Sequence, residues 1–98
     1  MIYDFLPNID MKAYTTWAQK AIGIVLKTPG LVEFRATRNM LGSPQIKSTT
    51  VWKSAADWSN FAESGVWKEM ETEMRTFVAN LRVELWGPSP IVPEPLRP

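Results

Sequence analysis

The sequence predicts an α+β domain with helices packed on one face of an antiparallel sheet. Three observations carry that reading. Apolar residues fall at helical spacing from 11 to 27. Two stretches that read as strands, 31–39 and 45–53, flank the turn residues Gly42-Ser43-Pro44 and read as a hairpin. After a second helical region, polar and apolar residues alternate again over 81–86.

Residues 1–6 are apolar-rich and read as a short, clipped first strand ended by Pro7, after which Asn8 or Asp10 offers a helix N-cap. In the helix that follows, Met11, Tyr14, Ala18, Ala21 and Val25 form one stripe, with Trp17 and Ile24 beside it. Gly23 weakens this helix by up to ~1 kcal/mol relative to Ala, and Pro29-Gly30 stops it. Strand 31–39 turns Val32, Phe34 and Ala36 one way and Glu33, Arg35, Thr37 and Asn39 the other. Thr49, Thr50, Val51 and Trp52 supply β-forming residues to strand 45–53.

Ser54-Ala55-Ala56-Asp57 resembles a capping box with Asp in place of Glu, and opens a short helix carrying Trp58, Phe61 and Ala62. Ser64-Gly65 interrupts it. A longer helix resumes with Val66, Met70, Met74 and Phe77 on its buried face and Lys68, Glu69, Glu73 and Arg75 on its solvated face. Leu81, Val83 and Leu85 then alternate with Arg82, Glu84 and Trp86 in a final strand closed by Gly87. Five of the eight prolines follow. Neither a helix nor a central strand tolerates that density, so residues 88–98 are expected as an extended tail on a domain spanning 1–87. The order of elements is the split β-α-β of ferredoxin-like folds. Helices cover one sheet face only, so a second copy is expected to cover the other, making a homodimer.

Composition bounds the chemistry. The 98 residues contain neither Cys nor His. That excludes thiolate nucleophiles, Cys/His zinc sites, Ser-His-Asp chemistry and His-ligated haem, and no metal site is expected. A net charge of +1 without a basic stripe argues against a nucleic-acid partner. No apolar run approaches the ~18 residues of a membrane span. The first residues lack the plan of a signal peptide. With no Cys, this suits a cytoplasmic location. Five Trp are many for this length, and each indole buries roughly 150–250 Å², so they dominate a core, a pocket or an interface.

Three stretches resemble the antibiotic-biosynthesis-monooxygenase superfamily. They are Pro29-Gly30-Leu31-Val32-Glu33-Phe34, then Thr50-Val51-Trp52-Lys53-Ser54, then Asp57-Trp58 through Phe61, Ser64 and Val66-Trp67. The hallmarks are a Pro-Gly-apolar turn into a strand, a Trp-x-Ser strand-to-helix junction, a following aromatic and a kinked second helix. The resemblance spans residues 18–86. It implies a dimeric α/β barrel with an apolar pocket. It also implies a cofactor-independent monooxygenase, or a related enzyme, acting on a small hydrophobic aromatic compound that supplies its own electrons. No cofactor is expected. Within the superfamily the haem-degrading branch is disfavoured. Aligned through Val51-Trp52-Lys53-Ser54, its pocket Trp and its His ligand fall on Phe61 and Glu71, and residues 1–6 hold no Asn. For the oxygenase branch, Asn39, Trp17, Tyr14, Arg35 and Arg38 are residues of suitable type, but no motif assigns them catalytic roles.

The candidate substrate-binding residues are Tyr14, Trp17, Phe34, Trp52, Phe61 and Trp67, aromatic side chains that serve a packed core equally well. Met11, Met40, Met70 and Met74 offer a soft lining of the same double meaning. Glu71 lies at the edge of the apolar stripe of the last helix. A carboxylate against apolar walls can act as a base; the alternative is a surface pair with Arg75. Glu33, Arg35 and Asn39 are candidates for a polar interface, with Arg35 alternatively a substrate anchor. A non-enzymatic small-molecule-binding or stress-related dimer, and a structural dimer with a filled core, remain the competing readings.

Overall fold

A computed structural model describes residues 1–98. Its elements are β1 (Ile2–Phe5), α1 (Met11–Leu26), β2 (Leu31–Arg38), β3 (Ile46–Trp52), α2 (Ala55–Ala62), α3 (Gly65–Met74) and β4 (Val78–Arg82). The four strands form one antiparallel sheet in the order β2-β3-β1-β4. The protein is therefore α+β, and this order is consistent with a ferredoxin-like fold.

Each helix starts where a short polar side chain meets an orphan amide. Asp10 Oδ1 accepts from the Ala13 amide at 3.1 Å, and Ser64 Oγ accepts from the Trp67 amide at 3.2 Å. At α2, Ser54 Oγ accepts from the Asp57 amide at 3.1 Å and donates to Asp57 Oδ2 at 3.0 Å. Asp57 is one methylene shorter than the usual Glu, and its carboxylate closes on the Ser54 hydroxyl.

The helices pack on one sheet face over a thin core. Only nine residues are buried: Tyr3, Trp17, Ala21, Val25, Phe61, Trp67, Met70, Met74 and Val78. On α3 the buried stripe is Trp67, Met70 and Met74. Val66, expected inside, is 53% exposed. Trp67 takes the first inward position in its place, while Met70 and Met74 are buried as expected. Phe77 lies past the helix end and packs edge-on to Tyr14 at 5.9 Å.

Two strands depart from simple alternation. The β2–β3 register shifts between Leu31 and Glu33. Leu31 and Phe34 both pack on the core while Val32, expected on the same face as Phe34, is exposed. A bulge supplies the reason, since one extra residue flips the alternation at that point. The second departure is β4, expected over 81–86 and found at Val78–Arg82. Its last residue, Arg82, pairs with Ile2, the first residue of β1. The pattern over 83–86 is that of a strand, but a ladder needs a neighbour. β3 meets the same limit. It pairs with β1 at Ile46 and Lys47, and Ser48 exchanges backbone hydrogen bonds with Met1 at 2.8 and 2.7 Å. Past Ser48 its only strand neighbour is β2. Residues 88–98 are exposed throughout, with no helix or strand. No helix is long and apolar enough to cross a membrane.

Candidate functional site

A continuous cleft of about 1560 Å³ runs between the sheet and the helices. Its walls come from α1, β2, β3, α2 and α3. Residues 82–88 close one side. Both faces of β3 border it, with Ser48, Thr50 and Trp52 on the helix side and Lys47, Thr49 and Val51 on the open side. Beyond Ser48 that strand pairs only with β2, so one of its edges is open there.

The aromatic lining is organised in two groups. Trp52 and Phe61 have ring centroids 5.1 Å apart, and Phe61 and Trp67 are 4.8 Å apart, each pair tilted by about 35°. The sheet-to-helix junction fixes this group: β3 ends on Trp52, and the Ser54 cap turns the chain so that Phe61 faces back toward it. The break at Ser64 then sets Trp67 against Phe61. In the second group Tyr14 packs on Trp17 at 5.8 Å and on Phe5 at 4.8 Å. Trp17 donates its indole N–H to the Met70 carbonyl at 3.0 Å, which ties α1 to α3. Trp52 donates its own to Thr50 Oγ1 at 2.8 Å.

All six residues expected to bind substrate, Tyr14, Trp17, Phe34, Trp52, Phe61 and Trp67, line this one cleft. Glu71 lines it too. Its carboxylate stands 3.8 Å from Arg75, and its side chain is 29% exposed against 61% for Arg75. Glu71 thus makes the expected pair with Arg75, loose and solvent-facing, at the edge of the cleft. Such a pair is worth about 0–1 kcal/mol and does not lock the carboxylate.

Other candidates lie elsewhere. Glu33 and Arg35 form a 3.0 Å ion pair on the sheet face away from the helices. Asn39 lies past the end of β2, where its Oδ1 accepts from the Leu41 amide at 3.0 Å. It serves a turn and does not share the strand face of Glu33 and Arg35. Of the methionines, Met74 is buried and lines the cleft and Met70 is buried beside it. Met11 and Met40 are on the surface. No group of three His, Cys, Asp or Glu is placed to hold a metal ion.

Sequence reasoning does not single out Tyr3. It is 4% exposed, lines the cleft, and its hydroxyl lies 2.7 Å from that of Tyr14. Burial and the Tyr14 hydroxyl both push the Tyr3 phenol up, far above its ordinary range. The available signal was the alternation of Met1, Tyr3 and Phe5, obscured because nearly every residue of that stretch is apolar. Asp4 is also missed. Ser43 Oγ donates to its carboxylate at 2.7 Å, the Gln45 amide at 3.0 Å and Asn80 Nδ2 at 3.3 Å. These donors hold its carboxyl below the ordinary carboxylate value.

Comparison with protein-family models, with curated proteins and with solved structures finds no match to this chain.

Proposed function

We propose that this chain binds a small, planar, hydrophobic aromatic compound in the cleft between sheet and helices, and that it does so as a homodimer. One observation carries the reading. Six aromatic side chains drawn from five elements line a single cleft, and three of them, Trp17, Phe61 and Trp67, also belong to the buried core. Flat rings stack well against such walls. Size supports the dimer. Pockets for one small ligand run to about 300–1,000 Å³, and this cleft is larger and open where the sheet is incomplete. A second copy on the open sheet face would supply the missing wall, as in the dimeric barrel that the resemblance implies.

A second reading is favoured by the position of Glu71: a cofactor-independent monooxygenase of the antibiotic-biosynthesis type. Glu71 would take a proton from a carbon flanked by a carbonyl or phenol. The resulting carbanion would give its electrons to molecular oxygen. A C–O bond forms, the O–O bond breaks and water leaves, so that a CH₂ becomes a carbonyl without any external reductant.

Thermal unfolding against anthrones, naphthoquinols, flavonoids and simple phenols tests the binding reading. A ligand at a hundredfold excess over its Kd stabilises by about 2.7 kcal/mol, which for a chain this size is a shift of roughly 10 °C or more. No shift with any of these compounds overturns it. Oxygen uptake with the compounds that bind then separates enzyme from binder. Glu71→Gln should keep binding and lose uptake; full uptake in that variant removes Glu71 as the base.

A further inference from the structure

We propose that the Tyr3–Tyr14 hydroxyl pair is the polar anchor of the cleft, donating a hydrogen bond to an acceptor oxygen, a carbonyl or quinone oxygen, on a neutral planar ligand. This deepens the ligand-binding reading above and rests on it.

Two phenols carry two protons, and the pair makes one hydrogen bond, 2.7 Å long, with either oxygen able to donate. Neither hydroxyl has another protein partner. Whichever way the shared bond runs, one proton is left without a protein acceptor. The pair belongs to the cleft wall and stands among rings. Phe5 packs on both tyrosines, and Trp17 and Phe77 pack on Tyr14. A donor left unpaired in such surroundings is destabilising. Phe at either position would keep the ring packing and drop the hydroxyl. The shared bond ties β1 to α1, and a ligand oxygen would take the second proton.

Among the other polar groups of the cleft, Thr50 Oγ1 already accepts from the Trp52 indole, and the Met1 ammonium is engaged by the Ser48 carbonyl at 2.7 Å. Arg38, Lys47, Arg82 and Glu84 are exposed residues at the rim. The tyrosine pair itself is a neutral donor, suited to an uncharged acceptor oxygen. Burial keeps the Tyr3 phenol protonated, so the donor persists well into alkaline solution.

Fluorenone and fluorene form the test pair. They share a flat tricyclic frame and differ by one carbonyl oxygen. Binding is followed by Trp fluorescence in the full chain. Wild type should bind fluorenone about tenfold more tightly than fluorene, the worth of one good hydrogen bond. Replacing both tyrosines together, Tyr3→Phe with Tyr14→Phe, should bring that ratio close to one. The carbonyl stretch of bound fluorenone gives a readout that needs no variant. It should move to lower frequency on wild-type protein, as a hydrogen-bonded ketone does, and move back on the double variant. Equal affinity for the two compounds on wild type, or an unshifted stretch, overturns the anchor and leaves the cleft reading standing. Failure of both compounds to bind overturns the cleft reading and the anchor with it.

Discussion

Gly30 and Asp57 are in such close approach that a Cβ at position 30 would lie 2.6 Å from the Asp57 carboxylate Oδ2. Gly30 also has φ +89°, and its carbonyl accepts from the Lys53 amide at 2.8 Å. The turn into β2 and the cap of α2 are therefore one joint, which explains why both need the residues they have. Gly30→Ala meets a strained backbone and a clash at once. It should cost about 2 kcal/mol or more and lower the melting temperature by roughly 10 °C, measured by circular dichroism. A melting temperature within a degree of wild type would show that the joint yields.

The Trp17 indole is the only side-chain hydrogen bond donor found linking α1 to α3. Trp17→Phe keeps an aromatic ring but loses that bond and part of the buried area. A cost of about 1–3 kcal/mol is expected in urea unfolding. An unchanged midpoint would mean that α3 is held by its own packing.

The Tyr3 phenol makes stability fall in alkali. Its folded value is raised above the ordinary 10.0. Its contribution is complete below that pH and is lost above it, because the unfolded chain then releases a proton that the folded chain keeps. Stability should decline from about pH 10 upward, and Tyr3→Phe should flatten the decline. Identical slopes for the two proteins above pH 10 would contradict the burial argument.

Asp4 acts in acid with the opposite sign. Its folded value is held below the ordinary 3.8 by donors from Ser43, Asn80 and Gln45. Its contribution is present above that pH and is lost as pH falls through the lowered folded value. Asp4→Asn should make the fall in stability below pH 4 shallower in urea titrations at stepped pH. An unaltered acid slope would show that these donors work equally well on the amide.

The exposed Glu33–Arg35 pair reports on the sheet face. In a monomer such a pair is worth about 0–1 kcal/mol, and Arg35→Glu would scarcely matter. With a second copy on this face, like charges would be buried together. Sedimentation velocity should then show wild-type dimer and Arg35→Glu monomer. A variant that stays dimeric at the same concentration places the contact elsewhere.

Much of the fold was legible because it is local. The caps at Asp10, Ser54 and Ser64 each act on an amide three residues away, and the β2–β3 hairpin shows in its alternation and turn residues. The lining of the cleft was legible as a set of aromatic types, but core and pocket use the same types. What made it a cleft was the meeting of Trp52, Phe61 and Trp67 with Tyr14 and Trp17 around a space left open.

By itself the sequence determined the class of fold, the order of its elements, where helices begin and which chemistries lack their residues, because those follow from composition and from signals within a few positions. Tertiary structure alone decided that β4 stops at Arg82, that Val32 turns outward and that the Tyr3 hydroxyl meets Tyr14. Each depends on a partner distant in sequence or on strand register: the pairing of Arg82 with Ile2, a bulge against Val51 and Trp52, and a helix laid across the first strand. Pairing and packing between separated segments carry no local signature, and they are what brought a set of scattered aromatic residues to one cleft.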